Sequence, residues 1–230
     1  MRIDWSRDGR YLATVSFDKR MGLWDASTGA LVHFFGISDC FVEAVAFSPD
    51  STKLASGKKS VSVFDLATKK KALTLKGHKD TVHDIHFSPD GTRIATASSD
   101  GTVRLWDLTG AEVARFGGAK ATAVRYSPDG KSLLIGRNST LTLCSAADGA
   151  VQASTHIGGW DGKVRADFLP DGSVVVAGHD QRVMLHLAAG TLDETGRAEV
   201  DHWLRSAAAS PCGRWVAYCG GGRYASNHPH

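Results

Sequence analysis

Residues 77–107 read GHKDTVHDIHFSPDGTRIATASSDGTVRLWD, and this stretch decides the fold. Its turn, Ser88-Pro89-Asp90-Gly91, has counterparts along the whole chain at intervals of 42, 40, 39, 42 and 41 residues. A fixed period of this size is typical of a repeat architecture. Proline fixes φ, aspartate binds nearby amides and glycine tolerates positive φ, so each copy predicts a tight turn. The turns begin at Ser6, Ser48, Ser88, Ser127, Leu169 and Ser210.

Short strand-like runs surround each of these turns. A mostly apolar run precedes the turn, and up to three further runs follow it before the next repeat, with no sustained helical periodicity. Four short antiparallel strands in about forty residues are typical of one β-propeller blade. The sequence therefore predicts a single all-β domain over residues 1–230, with five complete four-stranded blades and an incomplete sixth. The predicted blades are approximately residues 1–36, 41–76, 81–117, 121–156, 163–200 and, in part, 203–230.

Dipeptides in the repeats resemble those of the WD-repeat family. Trp24-Asp25 and Trp106-Asp107 match the dipeptide that gives the family its name, Phe64-Asp65 is a close variant, and Gly77-His78 matches the Gly-His element. The resemblance covers nearly the whole chain and implies a β-propeller that serves as a non-catalytic scaffold or adaptor for a protein or peptide partner. It also implies that this segment can be the docking part of a larger multidomain protein.

The resemblance further implies a buried hydrogen-bond network in blade three, formed by His78, Ser98, Asp100 and Trp106. A serine, a histidine and an aspartate also make up a hydrolase triad. The family buries this serine under its tryptophan, however, and a nucleophile needs access and an oxyanion site. We therefore expect a structural clamp and no catalytic residue. In the second, fourth and fifth blades the tryptophan position is predicted to hold Phe64, Cys144 and His186, respectively.

Partners of this family commonly dock on the loops that enter each innermost strand and on the turns between the second and third strands. Aromatic residues and arginine dominate binding hot spots, which favours the bulky members of this set. An alternative for Phe41 is packing between blades, and an alternative for Trp203 is the inner strand of the sixth blade. The candidate partner-binding residues are Phe41, Glu43, Lys59, His83, Lys120, Asn138, Trp160, Asp180, Trp203 and Arg205.

The distribution of positive charge allows a second function, the binding of nucleic acid. The net charge is only +3, but lysines cluster around blade two and could bind nucleic acid. Lysines also occur on strand edges, where they discourage edge pairing, so we rank nucleic acid below a protein partner. A propeller enzyme with an active site on the channel face ranks last. The clustered lysines are Lys58, Lys59, Lys69, Lys70, Lys71, Lys76 and Lys79.

The remaining patterns argue against a metal, a cofactor and a membrane. His83 and His86 are three residues apart on one strand and should point to opposite faces, so no metal site is expected. No Gly-rich loop precedes a helix, so no cofactor is expected. The four cysteines show no disulfide or metal spacing, and no run approaches the roughly twenty apolar residues of a membrane span. We therefore expect a cytoplasmic protein. Because the sixth blade lacks clear third and fourth strands, we also expect an open ring or a fragment of a larger propeller.

Overall fold

The computed structural model describes residues 2–15, 20–36, 42–157, 165–177, 181–209 and 216–221, with side chains described up to residue 199 except those of Arg165, Gln181 and Arg182. These residues form an all-β structure of 21 strands in five antiparallel sheets, four of them four-stranded and one five-stranded. Each four-stranded sheet pairs its strands in chain order. The predicted β-propeller architecture is confirmed.

The first four sheets are blades one to four. Blade one contains β1 (Arg2–Trp5), β2 (Tyr11–Val15), β3 (Arg20–Asp25) and β4 (Leu31–Gly36). Blade two contains β5 (Ala44–Phe47), β6 (Lys53–Gly57), β7 (Val61–Asp65) and β8 (Lys70–Leu75). Blade three contains β9 (Val82–Phe87), β10 (Arg93–Ser98), β11 (Val103–Asp107) and β12 (Glu112–Phe116). Blade four contains β13 (Ala121–Tyr126), β14 (Ser132–Arg137), β15 (Thr140–Ser145) and β16 (Val151–His156).

The fifth sheet contains β17 (Arg165–Phe168), β18 (Val174–Ala177), β19 (Gln181–Leu187), β20 (Glu194–Ala209) and β21 (Val216–Gly221). The first half of β20 pairs with β19, as the outer strand of a blade does, and the second half pairs with β21. β20 also lies beside β17, the inner strand of the fifth sheet. The two strands expected for the incomplete sixth blade are therefore continuous with the fifth sheet.

The repeated turn closes the hairpin between the first two strands. In blade three, Ser88 Oγ donates to Asp90 Oδ1 at 2.5 Å, and the same carboxylate oxygen accepts the Thr92 N–H at 3.0 Å. Gly91 has a φ of 72°, in the left-handed region that glycine adopts without strain. These local bonds fix the hairpin within a few residues of the turn.

Core side chains lie between neighbouring blades. We call the face of a blade toward the preceding blade its front and the other its back. The front of blade three presents large side chains, including Phe87, Ile94 and Trp106, to the back of blade two, where Val61 and Val63 lie. Similar clusters join blade one to two, three to four, and four to the fifth sheet. The apolar core of this chain is therefore divided among the junctions between consecutive sheets.

The prediction that His186 holds the tryptophan position of the fifth blade is wrong. Trp106 pairs with Ile94, and the equivalent pair in the fifth sheet is Leu187 with Val174. Leu187 therefore holds the tryptophan position, and His186 lies one residue earlier, where its ring contacts the Ser173 hydroxyl at 3.0 Å. The following turn agrees with this register, because the Ala188 N–H donates to the Asp193 carbonyl just as the Asp107 N–H after Trp106 donates to the Ala111 carbonyl.

Candidate interaction face

The candidate face lies at the end of each blade where the inner strand begins and the second strand turns into the third. Main-chain bonds hold these segments together. The Ser99 N–H donates to the Thr81 carbonyl at 2.9 Å, and the Val82 N–H donates to the Lys58 carbonyl at 2.6 Å. We call this end of the blades the loop face. It is the end that the sequence assigned to partner binding.

A row of three polar side chains crosses the loop face from blade two to blade three. His83, from β9, has a side chain only 5% exposed. Its Nδ1–H donates to Glu43 Oε2 at 2.8 Å, and its Nε2 accepts the Ser99 hydroxyl at 2.6 Å. Each ring nitrogen therefore has a protein partner. The carboxylate fixes the tautomer, and the imidazole orients the serine toward the surface.

This order of carboxylate, imidazole and hydroxyl is also that of a nucleophilic relay. A relay needs amide donors at the position where an oxyanion develops. The Ser99 N–H is already bound to Thr81, so it cannot serve as such a donor. The row is built to hold polar groups in place on a surface, which suits recognition.

The other predicted partner-binding residues differ in placement. Lys59, Lys120 and Asn138 are exposed in loops of this face, and Asn138 occupies a left-handed turn position with a φ of 51°. Trp203 and Arg205 lie in β20, where Trp203 pairs with Gly221. Phe41, Trp160 and Asp180 lie outside the described residues.

The lysine cluster of blade two is divided by the fold. Lys69, Lys70 and Lys71 lie at the turn between β7 and β8, which is the end opposite the loop face. The remaining lysines of the cluster stay at the loop face, together with Lys120 from blade four. Among the described residues, the exposed lysines of the loop face are Lys59, Lys76, Lys79 and Lys120.

The blade-three network forms with one different member. His78 Nδ1–H donates to Asp100 Oδ2 at 2.8 Å, while Thr96 supplies the hydroxyl, which donates to His78 Nε2 at 2.7 Å and accepts the Trp106 indole N–H at 2.9 Å. The assignment of that hydroxyl to Ser98 is wrong. Trp106 pairs with Ile94, so Thr96 lies two residues along the strand, about 7 Å away, and Ser98 lies twice as far.

Ser98 instead caps the neighbouring turn. Its hydroxyl donates to the Asp80 carbonyl at 3.1 Å and accepts the Asp100 N–H at 3.1 Å. Bonds from Thr102, Lys79 and His78 hold the pKa of the Asp100 carboxyl far below its usual range, against the effect of burial. Burial lowers the pKa of His78. A charged Asp100 beside a neutral His78 is therefore the stable arrangement.

Sequence reasoning missed a second polar cluster, which faces the centre of the propeller. The buried Asp84 carboxylate on β9 accepts from Arg2 Nη1 at 3.3 Å, from the Arg125 guanidinium and from the Val124 N–H at 3.1 Å. Arg125 also lies 4.0 Å from Asp167 in the fifth sheet. These contacts connect blades one, three and four with the fifth sheet across the centre.

A signal for this cluster was present in the sequence. Its members lie two or four residues before the repeated turns, on the inward side of each innermost strand. Asp4 occupies such a position, and its Oδ2 accepts the Phe47 N–H at 2.7 Å. Burial raises the pKa of Asp4 to about 6. Burial and the nearby Arg125 lower the pKa of His86 to about 3, and its Nδ1 accepts the Tyr126 N–H at 3.1 Å.

The described residues bring no three histidine, cysteine, aspartate or glutamate side chains together in a group that could hold a metal ion. In the same part of the chain, Cys144 is a free, buried thiol, and burial raises its pKa to about 11. No helix among the described residues is long and apolar enough to cross a membrane.

Comparison with known proteins agrees with the fold. The family model described as "WD domain, G-beta repeat" matches residues 1–25, 29–65 and 69–107. These ranges correspond to the first three blades, which are also the blades that carry the tryptophan or phenylalanine dipeptides.

Several curated proteins are similar over longer stretches. The maize guanine nucleotide-binding protein subunit beta is 28% identical over 200 residues, covering 77% of this chain and 52% of that protein. The Schizosaccharomyces pombe target of rapamycin complex subunit wat1 is 26% identical over 238 residues, covering 90% and 70%. The Dictyostelium discoideum serine-threonine kinase receptor-associated protein is 32% identical over 106 residues, covering 45% and 36%. The chain thus spans about half the length of the maize relative.

Proposed function

The chain belongs to the WD-repeat family, and we propose that it is a non-catalytic scaffold whose loop face binds a protein or peptide partner. The Glu43–His83–Ser99 row supports this proposal most directly. Its residues belong to loops and strand ends, where the repeats of this chain differ, and their hydrogen bonds fix polar groups at a surface before any partner arrives. Such preorganisation reduces the ordering cost of binding.

The relatives support the same class of function. The maize protein is named as a subunit of a guanine nucleotide-binding protein, and the fission yeast protein is named as a subunit of the target of rapamycin complex. Both names describe proteins that work within assemblies. We extend to this chain only the general role of a protein-binding scaffold.

The exposed lysines favour a partner with acidic residues. Lys59, Lys79 and Lys120 come from three different loops of the same face, so their charges attract a partner of negative charge to that end of the propeller. Rim charges of this kind mainly change the association rate and its salt dependence.

The test compares two charge-reversal pairs in the full chain. Lys59→Glu with Lys120→Glu changes the loop face, and Lys70→Glu with Lys131→Glu makes the same change in net charge at the opposite end. We expect the first pair to reduce quantitative cross-linking to partner proteins at least tenfold and the second pair to leave it unchanged. Equal losses from both pairs would contradict a specific loop-face site. Binding of a labelled oligonucleotide at low salt, lost steeply as salt rises, would favour nucleic acid instead.

A further inference from the structure

A groove lies between blade four and the fifth sheet, at the end of the propeller that carries the repeated turns. Between blades two and three, the proline of one turn packs on the glycine of the next, since a Cβ atom placed on Gly91 would lie 3.4 Å from Pro49 Cγ. A Cβ atom placed on Gly172 would instead contact Ala189 at 3.6 Å, with no atom of Pro128 within 4 Å. The turns of blade four and the fifth sheet therefore stand apart, and the groove lies between them.

This groove reaches the core beside a small residue. Ala189 holds the register position of Leu108, two residues after the tryptophan position. The Leu108 side chain lines the corresponding cleft between blades two and three, whereas the groove beside Ala189 extends to Phe168 and Leu143. Phe168 is half-buried, although its counterpart Phe87 is only 4% exposed. The floor of the groove is therefore apolar and accessible to solvent.

Two carboxylates stand at the rim of the groove. Asp129 and Asp171 both line it, and hydrogen bonds from serine hydroxyls of their own turns lower the pKa of both carboxyls, so both are charged at neutral pH. In blades two and three, a threonine hydroxyl donates to Oδ2 of the turn aspartate. Bonds from other described residues reach only Oδ1 of Asp129 and Asp171. The described chain thus leaves Oδ2 of each carboxylate for a cationic ligand, and Lys131, which follows Asp129, does not line the groove.

We propose that this groove binds a short segment of a protein partner in which an apolar side chain lies next to lysine or arginine. The apolar side chain packs on Phe168 and Leu143, and the cation pairs with Asp129 and Asp171. The groove volume of about 290 Å³ is at the lower limit for small-molecule pockets, which favours one or two side chains over a cofactor. This site prefers the charge opposite to that attracted by the lysines of the loop face. The propeller thus joins two partners of different chemistry, one at each end.

The binding test uses short fluorescein-labelled peptides and the full chain. One series has leucine, phenylalanine or tryptophan between two lysines, a second has glutamates in place of the lysines, and a third has serine at the centre. Fluorescence polarisation should show binding of the first series and affinities lower by about fivefold or more for the other two. Because the chain has a net charge of +3, nonspecific attraction would favour the glutamate series instead. Equal binding of the lysine and glutamate series, or no binding of any series, would overturn the proposal.

Variants of the groove locate the binding site. Ala189→Leu introduces the residue of blade three into the groove and should lower the affinity for the lysine series by about tenfold. Asp129→Asn/Asp171→Asn keeps an acceptor oxygen in each turn and removes the charges, which should lower that affinity by about fivefold. The matched control Asp50→Asn/Asp90→Asn makes the same change between blades two and three and should bind like the unaltered chain. Circular dichroism and thermal midpoints check that all variants are folded. Full affinity of Ala189→Leu, or an equal loss in the control, would refute the groove as the site.

A crossed experiment separates this site from the loop face. Lys59→Glu/Lys120→Glu should leave peptide binding unchanged, and Ala189→Leu should leave cross-linking at the loop face unchanged. Either proposal can therefore fail while the other stands. Loss of peptide binding in the folded loop-face variant would place the peptide at the loop face and overturn the proposed groove site.

Discussion

Substitution of Thr96 by valine is the sharpest test of the buried network in blade three. Valine keeps the shape of threonine and removes only the hydroxyl. That loss leaves the Trp106 indole N–H, in a side chain 1% exposed, and His78 Nε2 without their partners. Each unsatisfied buried polar group costs about 1–3 kcal/mol, so the loss of two partners should lower the free energy of unfolding by about 2–6 kcal/mol.

Two companion variants set the scale for this prediction. Thr14→Val removes a single bond, from the half-buried Trp24 indole at 2.9 Å, and should cost about 1 kcal/mol. Ser98→Ala releases backbone groups at the edge of the loop face, where water replaces the lost bonds, and should also cost about 1 kcal/mol. Urea titrations followed by tryptophan fluorescence and circular dichroism give the three values. A Ser98→Ala cost equal to or above that of Thr96→Val would refute the assignment of the network to Thr96.

Three further outcomes are expected. Asp84→Ala leaves two guanidinium groups without their shared carboxylate and should lower the free energy of unfolding by about 3–5 kcal/mol in urea titrations, whereas Glu194→Ala, from an exposed pair, should leave it nearly unchanged; equal costs would contradict a central ion-pair cluster. Because the pKa of His86 is lowered from 6.5 to about 3, its stabilising contribution is complete above pH 6.5 and is lost as the pH falls toward 3. His86→Gln should therefore flatten the pH dependence of urea midpoints in that range, and an unchanged slope would show that His86 is not buried neutral. Asp4, with a pKa raised to about 6, changes the stability in the opposite direction in both proteins. Finally, a fluorophosphonate probe should not label Ser99, since the amide that would stabilise an oxyanion is occupied; stoichiometric labelling lost in His83→Ala, as detected by mass spectrometry, would reveal a hydrolase-like site.

The two polar clusters of the propeller have different roles. The Asp84 cluster joins four sheets across the centre and is mainly structural, because its charges are paired with each other. The Glu43–His83–Ser99 row lies at an accessible edge, where Glu43 is 30% exposed. A partner can therefore reach the second cluster without disturbing the first.

Local patterns were sufficient to predict the architecture. The repeated Ser-Pro-Asp-Gly turn has its own hydrogen bonds, as the contacts of Ser88 and Asp90 show, so each hairpin is specified within a few residues. Recurrence at about forty residues then determines the number of strands in a blade. For the same reason, the described residues up to 157 form four sheets of four strands paired in chain order.

Side-chain partners across strands were less predictable. The choice between Thr96 and Ser98 depends on the register of β10 against β11, and a shift of two residues moves the hydroxyl beyond reach of the Trp106 indole. The prediction for His186 failed for a related reason, because the register of β19 against β18 places Leu187, and not His186, opposite Val174.

The sequence by itself determined the repeat and the all-β propeller, because turns and alternating strands are encoded locally, whereas the partner-binding residues of the loop face stay a prediction. Only the tertiary structure decided which of those residues meet. Glu43 and His83 are forty residues apart and bond only because consecutive blades lie side by side, and Arg2 reaches Asp84 only because the blades surround a common centre. The groove between blade four and the fifth sheet is likewise a property of packing, since Phe168 is an ordinary core residue in the sequence pattern.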